Sequence, residues 1–231
     1  MATIVLLPGM DGSGTLFSEF IASLPAGLKP LVVPYPPDEA MGYRELEALV
    51  LEKLPSRPFI LVGESFSGPI AVAVAARAPA GLRGLVLVCS FVRRPIPAPS
   101  VLRWLLALLP VRWIPMRLAA AVLLGQHASP AHRMRLSAAM AGVAPAAWRA
   151  RLRAVLSVDM SERLRSVRVP VLYLQGKHDR LIPSSAWELI KKSVSSARCV
   201  ELEGPHFLLQ AKPVESATHV GAFAKEVGFA L

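Results

Sequence analysis

A β-rich apolar run, Phe59-Ile60-Leu61-Val62, stops at Gly63-Glu64-Ser65-Phe66-Ser67-Gly68 and gives way at once to the helix of small residues opened by Pro69-Ile70-Ala71. A serine hydroxyl is a weak nucleophile at its free pKa, so it needs a nearby base and an exposed position, and a sharp strand-to-helix turn supplies the position. The stretch reads as a nucleophile elbow built on Ser65. Gly63 and Gly68 are small where such a turn crowds the backbone, while Ser67 stands where the G-x-S-x-G pattern has its second glycine. Taken alone, Ser65 fits a helix N-cap equally well. Its partners must decide.

The elbow sits within a repeated rhythm. Apolar runs at Ile4 to Leu7, Leu31 to Val33, Phe59 to Val62 and Leu85 to Val88 alternate with helical patterns at Thr15 to Leu24, Tyr43 to Leu54 and Ser65 to Ala78. After an interruption the rhythm resumes with Val171 to Leu174, a helix at Ser184 to Val194, Arg198 to Leu202 and a terminal helix at Pro213 to Phe229. Six short apolar strands separated by helices predict an α/β fold: a mostly parallel six-stranded sheet with helices on both faces. At 231 residues one main domain is the default, large enough to bury its core without staples.

The interruption, residues 91–168, is predicted to be an inserted helical cap or lid between two halves of one core, residues 1–90 and 169–231. Pro95, Pro97 and Pro99 open it as a stiff linker, and a helical stripe follows at Val101, Leu102, Leu105, Leu108 and Leu109. Further helices are expected at Met116 to Leu124, Pro130 to Ala141 and Pro145 to Val155. Between Arg93 and Arg168 the chain has thirteen arginines, no lysine and only Asp159 and Glu162 as acids, a net of +11 against +10 for the whole chain. All the excess charge therefore lies in the insert, as a local field for an anionic partner or as solvated helix faces. Trp104, Trp113 and Trp148 would either line an acyl pocket or pack the cap onto the sheet.

A base, an orienting acid and oxyanion donors are needed beside a serine nucleophile. Asp179 follows the Val171 to Leu174 run, in Gly176-Lys177-His178-Asp179-Arg180-Leu181-Ile182-Pro183, and His206 follows the last strand, in Glu203-Gly204-Pro205-His206-Phe207. Each candidate follows a different strand, so a parallel sheet would bring Ser65, Asp179 and His206 to one edge. With this order and these three loops the chain resembles the α/β-hydrolase superfamily. The resemblance covers both parts of the core and implies a shortened α/β-hydrolase fold, a Ser-Asp-His triad and an oxyanion hole. The loop after the first strand reads Leu7-Pro8-Gly9-Met10-Asp11-Gly12, with Pro8 where the family normally has histidine. Carried over by position, the two oxyanion donors are the amides of Met10 and Phe66.

The resemblance implies a serine hydrolase, a carboxylesterase forming an acyl-enzyme. Serine rather than aspartate at the elbow sets the chain apart from the family's haloalkane dehalogenases and epoxide hydrolases. Lipases, lysophospholipases and thioesterases keep serine and stay open, as does a non-catalytic binding protein that keeps the pocket. The basic cap is similar to that of pimeloyl-acyl-carrier-protein methyl ester esterases, which implies an acidic acyl carrier protein as a second partner beside a small-molecule ester. No cofactor is called for, and no Cys/His spacing suits a metal. Gly9 to Gly14 matches neither a dinucleotide fingerprint nor a phosphate loop. Nothing points to nucleic acid. The N-terminus lacks a signal peptide's basic region and long apolar run, no apolar stretch is long enough to span a membrane, and a cytoplasmic location is the expectation. Cys89 and Cys199 are expected as free thiols.

Overall fold

In a computed structural model the chain is described over residues 2–95 and 115–230. Six strands form one sheet: β1 (Ala2–Leu7), β2 (Leu28–Val32), β3 (Phe59–Glu64), β4 (Leu82–Val88), β5 (Val171–Gly176) and β6 (Arg198–Leu202). Their order is β2-β1-β3-β4-β5-β6, and every neighbouring pair is parallel. The expected mostly parallel sheet is thus parallel throughout. Pro30, which cannot donate to a ladder, lies in β2 at the sheet edge, where that loss is tolerated.

Strand side chains alternate between two apolar layers because the strand period is two. Val5, Leu7, Leu61, Leu85 and Leu87 pack with α2 (Tyr43–Lys53), α3 (Gly68–Ala76) and α8 (Ser185–Ser193). Ile4, Leu6, Ile60, Val62, Val86 and Val88 face α1 (Ser18–Ala22) and α10 (Pro213–Glu226) on the other side. Both faces being covered explains why the strands read as continuous apolar runs. The helix expected from Ser65 begins as a 3-10 turn, Ser65–Ser67, and the helix expected from Thr15 likewise opens with a 3-10 turn, Thr15–Phe17.

Between β4 and β5 lie α4 (Met116–Leu123), α5 (Pro130–Ala141), α6 (Pro145–Ser157) and α7 (Ser161–Arg165). The first three match the expected helices; α7 and the short α9 (Leu208–Ala211) have too few residues to show a period. The linker prolines Pro97 and Pro99, the stripe from Val101 to Leu109, Trp104 and Trp113 lie outside the described residues. The insert is seated on loops at the carboxyl edge of the sheet. Ala144 N–H donates to Pro37 C=O beyond β2, Phe207 N–H beyond β6 donates to Leu123 C=O, and Val143, Ala147 and Trp148 pack on Met10 beyond β1. Trp148 is buried in that seam, and its indole N–H reaches Met140 C=O at 3.4 Å. Among the described residues no helix is long and apolar enough to cross a membrane.

Candidate active site

The chain turns from β1 to β2 on one side and to β3 on the other, so the carboxyl ends of β1 and β3 flank a topological switch point, where open α/β sheets leave a crevice. Ser65 stands at that point. Its φ is +48°, a left-handed conformation uncommon for a residue with a Cβ and a marker of stored strain at sites. Close packing holds it there. A Cβ on Gly63 would lie 2.8 Å from both Ala71 Cβ and Ser67 C=O, and one on Gly68 would collide with Ser90 Oγ. Ser90, itself buried, donates its hydroxyl to Ser65 C=O at 2.5 Å.

The three loops meet as the strand order requires. Ser65 Oγ lies 2.8 Å from His206 Nε2, and His206 Nδ1 lies 2.8 Å from Asp179 Oδ2. The His206 and Asp179 side chains are almost wholly buried, while Ser65 keeps partial exposure. An ionised carboxylate only accepts, so the proton belongs on Nδ1 and the Nε2 lone pair faces the serine hydroxyl. The other Asp179 oxygen accepts the N–H groups of Leu181 at 2.8 Å and Ile182 at 3.0 Å, which fixes the carboxylate's orientation.

Met10 and Phe66 each follow a strand end that pairs with the other: Leu7 pairs with Gly63 across β1 and β3, and each residue stands three positions further along its own stretch of chain. The Met10 N–H has no acceptor among the described residues. The Phe66 ring is core, stacked on Tyr43 with centroids 4.9 Å apart, leaving its amide as the group that could serve the site.

Ser67, where the pattern has glycine, proves to be a connector. Its hydroxyl donates to Pro8 C=O and receives the Tyr35 hydroxyl at 2.5 Å, tying the elbow to the loop after β1. Glu64, just before Ser65, is fully enclosed, and burial pushes its carboxyl up to about 8 while Gln210 Nε2 donates to it at 3.1 Å. Neither role has a sequence signal, since both depend on what the fold packs against them. His178, beside Asp179, points away to pair with Glu203. His132 on α5 is tied down at both ring nitrogens: its Nδ1 bonds His127 C=O at 2.9 Å, and its Nε2 faces Glu19 at 3.4 Å. Among the described residues no cluster of His, Cys, Asp or Glu could hold a metal ion. Cys89 and Cys199 are free.

No curated protein matches the chain. Solved structures do. A bromoperoxidase from Bacillus anthracis superposes with a TM-score of 0.85 at 16% identity, covering 97% of this chain and 92% of that one. An esterase from Exiguobacterium antarcticum gives 0.86 at 15% identity, with coverage of 97% and 92%. An enol-lactonase from Burkholderia xenovorans gives 0.77 at 18% identity, with coverage of 98% and 90%. At such identities the likeness is one of fold. The model of the family described as serine aminopeptidase, S33, matches residues 43–203, well over half the chain and including Ser65 and Asp179. The chain belongs to the serine aminopeptidase S33 family and is an α/β-hydrolase.

Proposed function

We propose that this hydrolase is a carboxylesterase that cleaves carboxylic esters through an acyl-enzyme on Ser65, with residues 91–168 as a lid over residues 1–90 and 169–231. The observation that carries the reading is the unbroken row Ser65 Oγ, His206, Asp179, with two 2.8 Å contacts, at a serine held at φ +48°. His206 Nε2 takes the hydroxyl proton as Oγ attacks the ester carbonyl, and Asp179 stabilises the imidazolium that forms. The amides of Met10 and Phe66 receive the oxyanion. His206 then gives its proton to the leaving alcohol, and removes one from the water that releases the acid.

The family's name denotes a peptidase acting at free amino termini; the esterase and the enol-lactonase among the solved structures of this fold support the ester reading. A methyl ester on an acidic acyl carrier protein is the second substrate reading, favoured by Arg117 and Arg149 of the insert, which are exposed and make no ion pair among the described residues. A cytoplasmic location fits either substrate.

A fluorophosphonate probe and a panel of p-nitrophenyl esters of rising chain length test the reading. The wild type should label and turn over short esters, and Ser65→Ala should lose labelling and on the order of 10,000-fold or more in kcat. Equal labelling of Ser65→Ala, or a wild type that neither labels nor hydrolyses, would remove the proposal.

A further inference from the structure

Arg151 lies on α6 of the insert, among arginines that the sequence gives no means of telling apart, yet it is wholly buried. Cations are almost never fully buried unless paired with a carboxylate. Arg151 makes no salt bridge among the described residues. Its Nη1 instead donates to the carbonyls of Met10 at 2.9 Å and Asp11 at 3.0 Å, its Nη2 donates to Pro36 C=O at 2.8 Å, and its guanidinium lies 5.8 Å from the centre of the Tyr35 ring. Its Nε has no partner among the described residues. Burial lowers its pKa, opposed by the charge of Asp11.

Stability alone is a poor explanation for such a residue, because an apolar side chain of similar volume would avoid the desolvation cost of a buried charge. What the guanidinium supplies is geometry. The carbonyls from Pro8 to Gly12 are each held: Pro8 by Ser67, Gly9 by Gly12 N–H, Met10 and Asp11 by Arg151, and Gly12 by Tyr35 N–H. With both Met10 and Asp11 carbonyls pinned to the insert, the backbone at Met10 is fixed and its N–H is left for another acceptor. The loop is shaped to admit the arginine. Gly12 has φ +72°, and a Cβ there would lie 2.7 Å from Arg151 Nη1, which explains a glycine that neither a phosphate loop nor a dinucleotide fingerprint could.

We infer that Arg151 is a positioning residue, through which the seated insert holds the Met10 amide in the geometry that receives the oxyanion. The inference rests on the ester-hydrolase reading above and deepens it. The site is then complete only with the insert in place, because one of its two oxyanion donors is braced from the insert. An amide displaced by about 1 Å weakens transition-state binding while leaving ground-state binding intact, an effect on the order of 100-fold in kcat.

The test compares wild type, Arg151→Lys, Arg151→Met and Ser65→Ala on one p-nitrophenyl ester, with a thermal melt of each. Arg151→Met removes the charge and all three hydrogen bonds; Arg151→Lys keeps the charge but cannot present the planar fork. Both should lose about 100-fold in kcat with KM within about twofold of wild type, in proteins still folded at the assay temperature. Wild-type kcat in either folded variant would overturn the inference, as would a loss confined to KM. Where Arg151→Met fails to fold, Arg151→Lys decides alone, and its own failure to fold would mark the residue as structural and overturn the inference too. Wild-type activity lost in Ser65→Ala upholds the ester reading independently of how the Arg151 variants behave.

Discussion

Glu64 carries a buried proton one residue from the nucleophile candidate, and that proton has a thermodynamic signature. Burial pushes its carboxyl up to about 8, from an ordinary value of 4.5. Between those two pH values the unfolded chain has released the proton while the folded chain keeps it, so stability falls as pH rises, by about 1.4 kcal/mol per unit. Below the window both states are protonated, above it neither is, and this contribution is flat. Glu64→Gln should therefore flatten the pH dependence of the melting temperature between about pH 5 and 8, and an unchanged slope would show that Glu64 does not hold the proton. The elbow was legible because its signal is local: two small glycines around a serine, following an apolar strand. Glu64, Ser67 and Arg151 were not, because the same sequence letters serve on a solvated surface, and only the packing of distant segments enclosed them.

Among the elements, the strands were legible to within three residues because both faces of the sheet are apolar, and Asp179 and His206 followed from them, since a parallel sheet delivers every strand's carboxyl end to one edge. What a strand-and-helix rhythm could not contain is how the insert attaches. One attachment is α2, whose Glu47 carboxylate is buried and bonded both to Arg77 Nε, just beyond α3, at 2.6 Å and to Arg163 Nη1 of α7 at 2.7 Å. Burial works to raise the Glu47 carboxyl, but the two guanidinium groups outweigh it and hold it below its ordinary value. The stability it contributes is present above about pH 4.5 and is lost as pH falls through the lowered folded value. Both arginines are about half exposed, so water screens the pairs and compensates them when the acid is removed. Glu47→Gln should cost only about 1 kcal/mol at neutral pH and less at pH 3, measured by denaturant unfolding. A loss of the same size at both pH values would assign Glu47 a packing role instead of an ionic one.

At the scale of the molecule, the +11 of the insert is partly spent inside the fold. Arg93 pairs with Asp159, Arg135 with Glu19, Arg163 with Glu47 and Arg165 with Glu162, while Arg133, Arg151 and Arg168 donate to backbone carbonyls. Two of those acids, Glu19 and Glu47, come from the core, so the insert's charge also fastens it to the sheet domain. Arg117 and Arg149, outward-facing and without an ion pair among the described residues, are available to a partner, and the field of such exposed charges is screened within about 10 Å at 0.1 M salt. Such a field would act on encounter with a large acidic carrier and not on a small neutral ester, because steering scales with the partner's charge. On raising salt from 50 to 500 mM, kcat/KM for a carrier-bound methyl ester should fall about tenfold while that for a p-nitrophenyl ester stays flat. Replacing both arginines, Arg117→Glu with Arg149→Glu, should lessen the salt slope for the carrier and leave the small ester untouched, since neither residue contacts the Ser65 row. Equal salt dependence for both substrates would remove carrier docking and leave the arginines as devices for holding the insert in place.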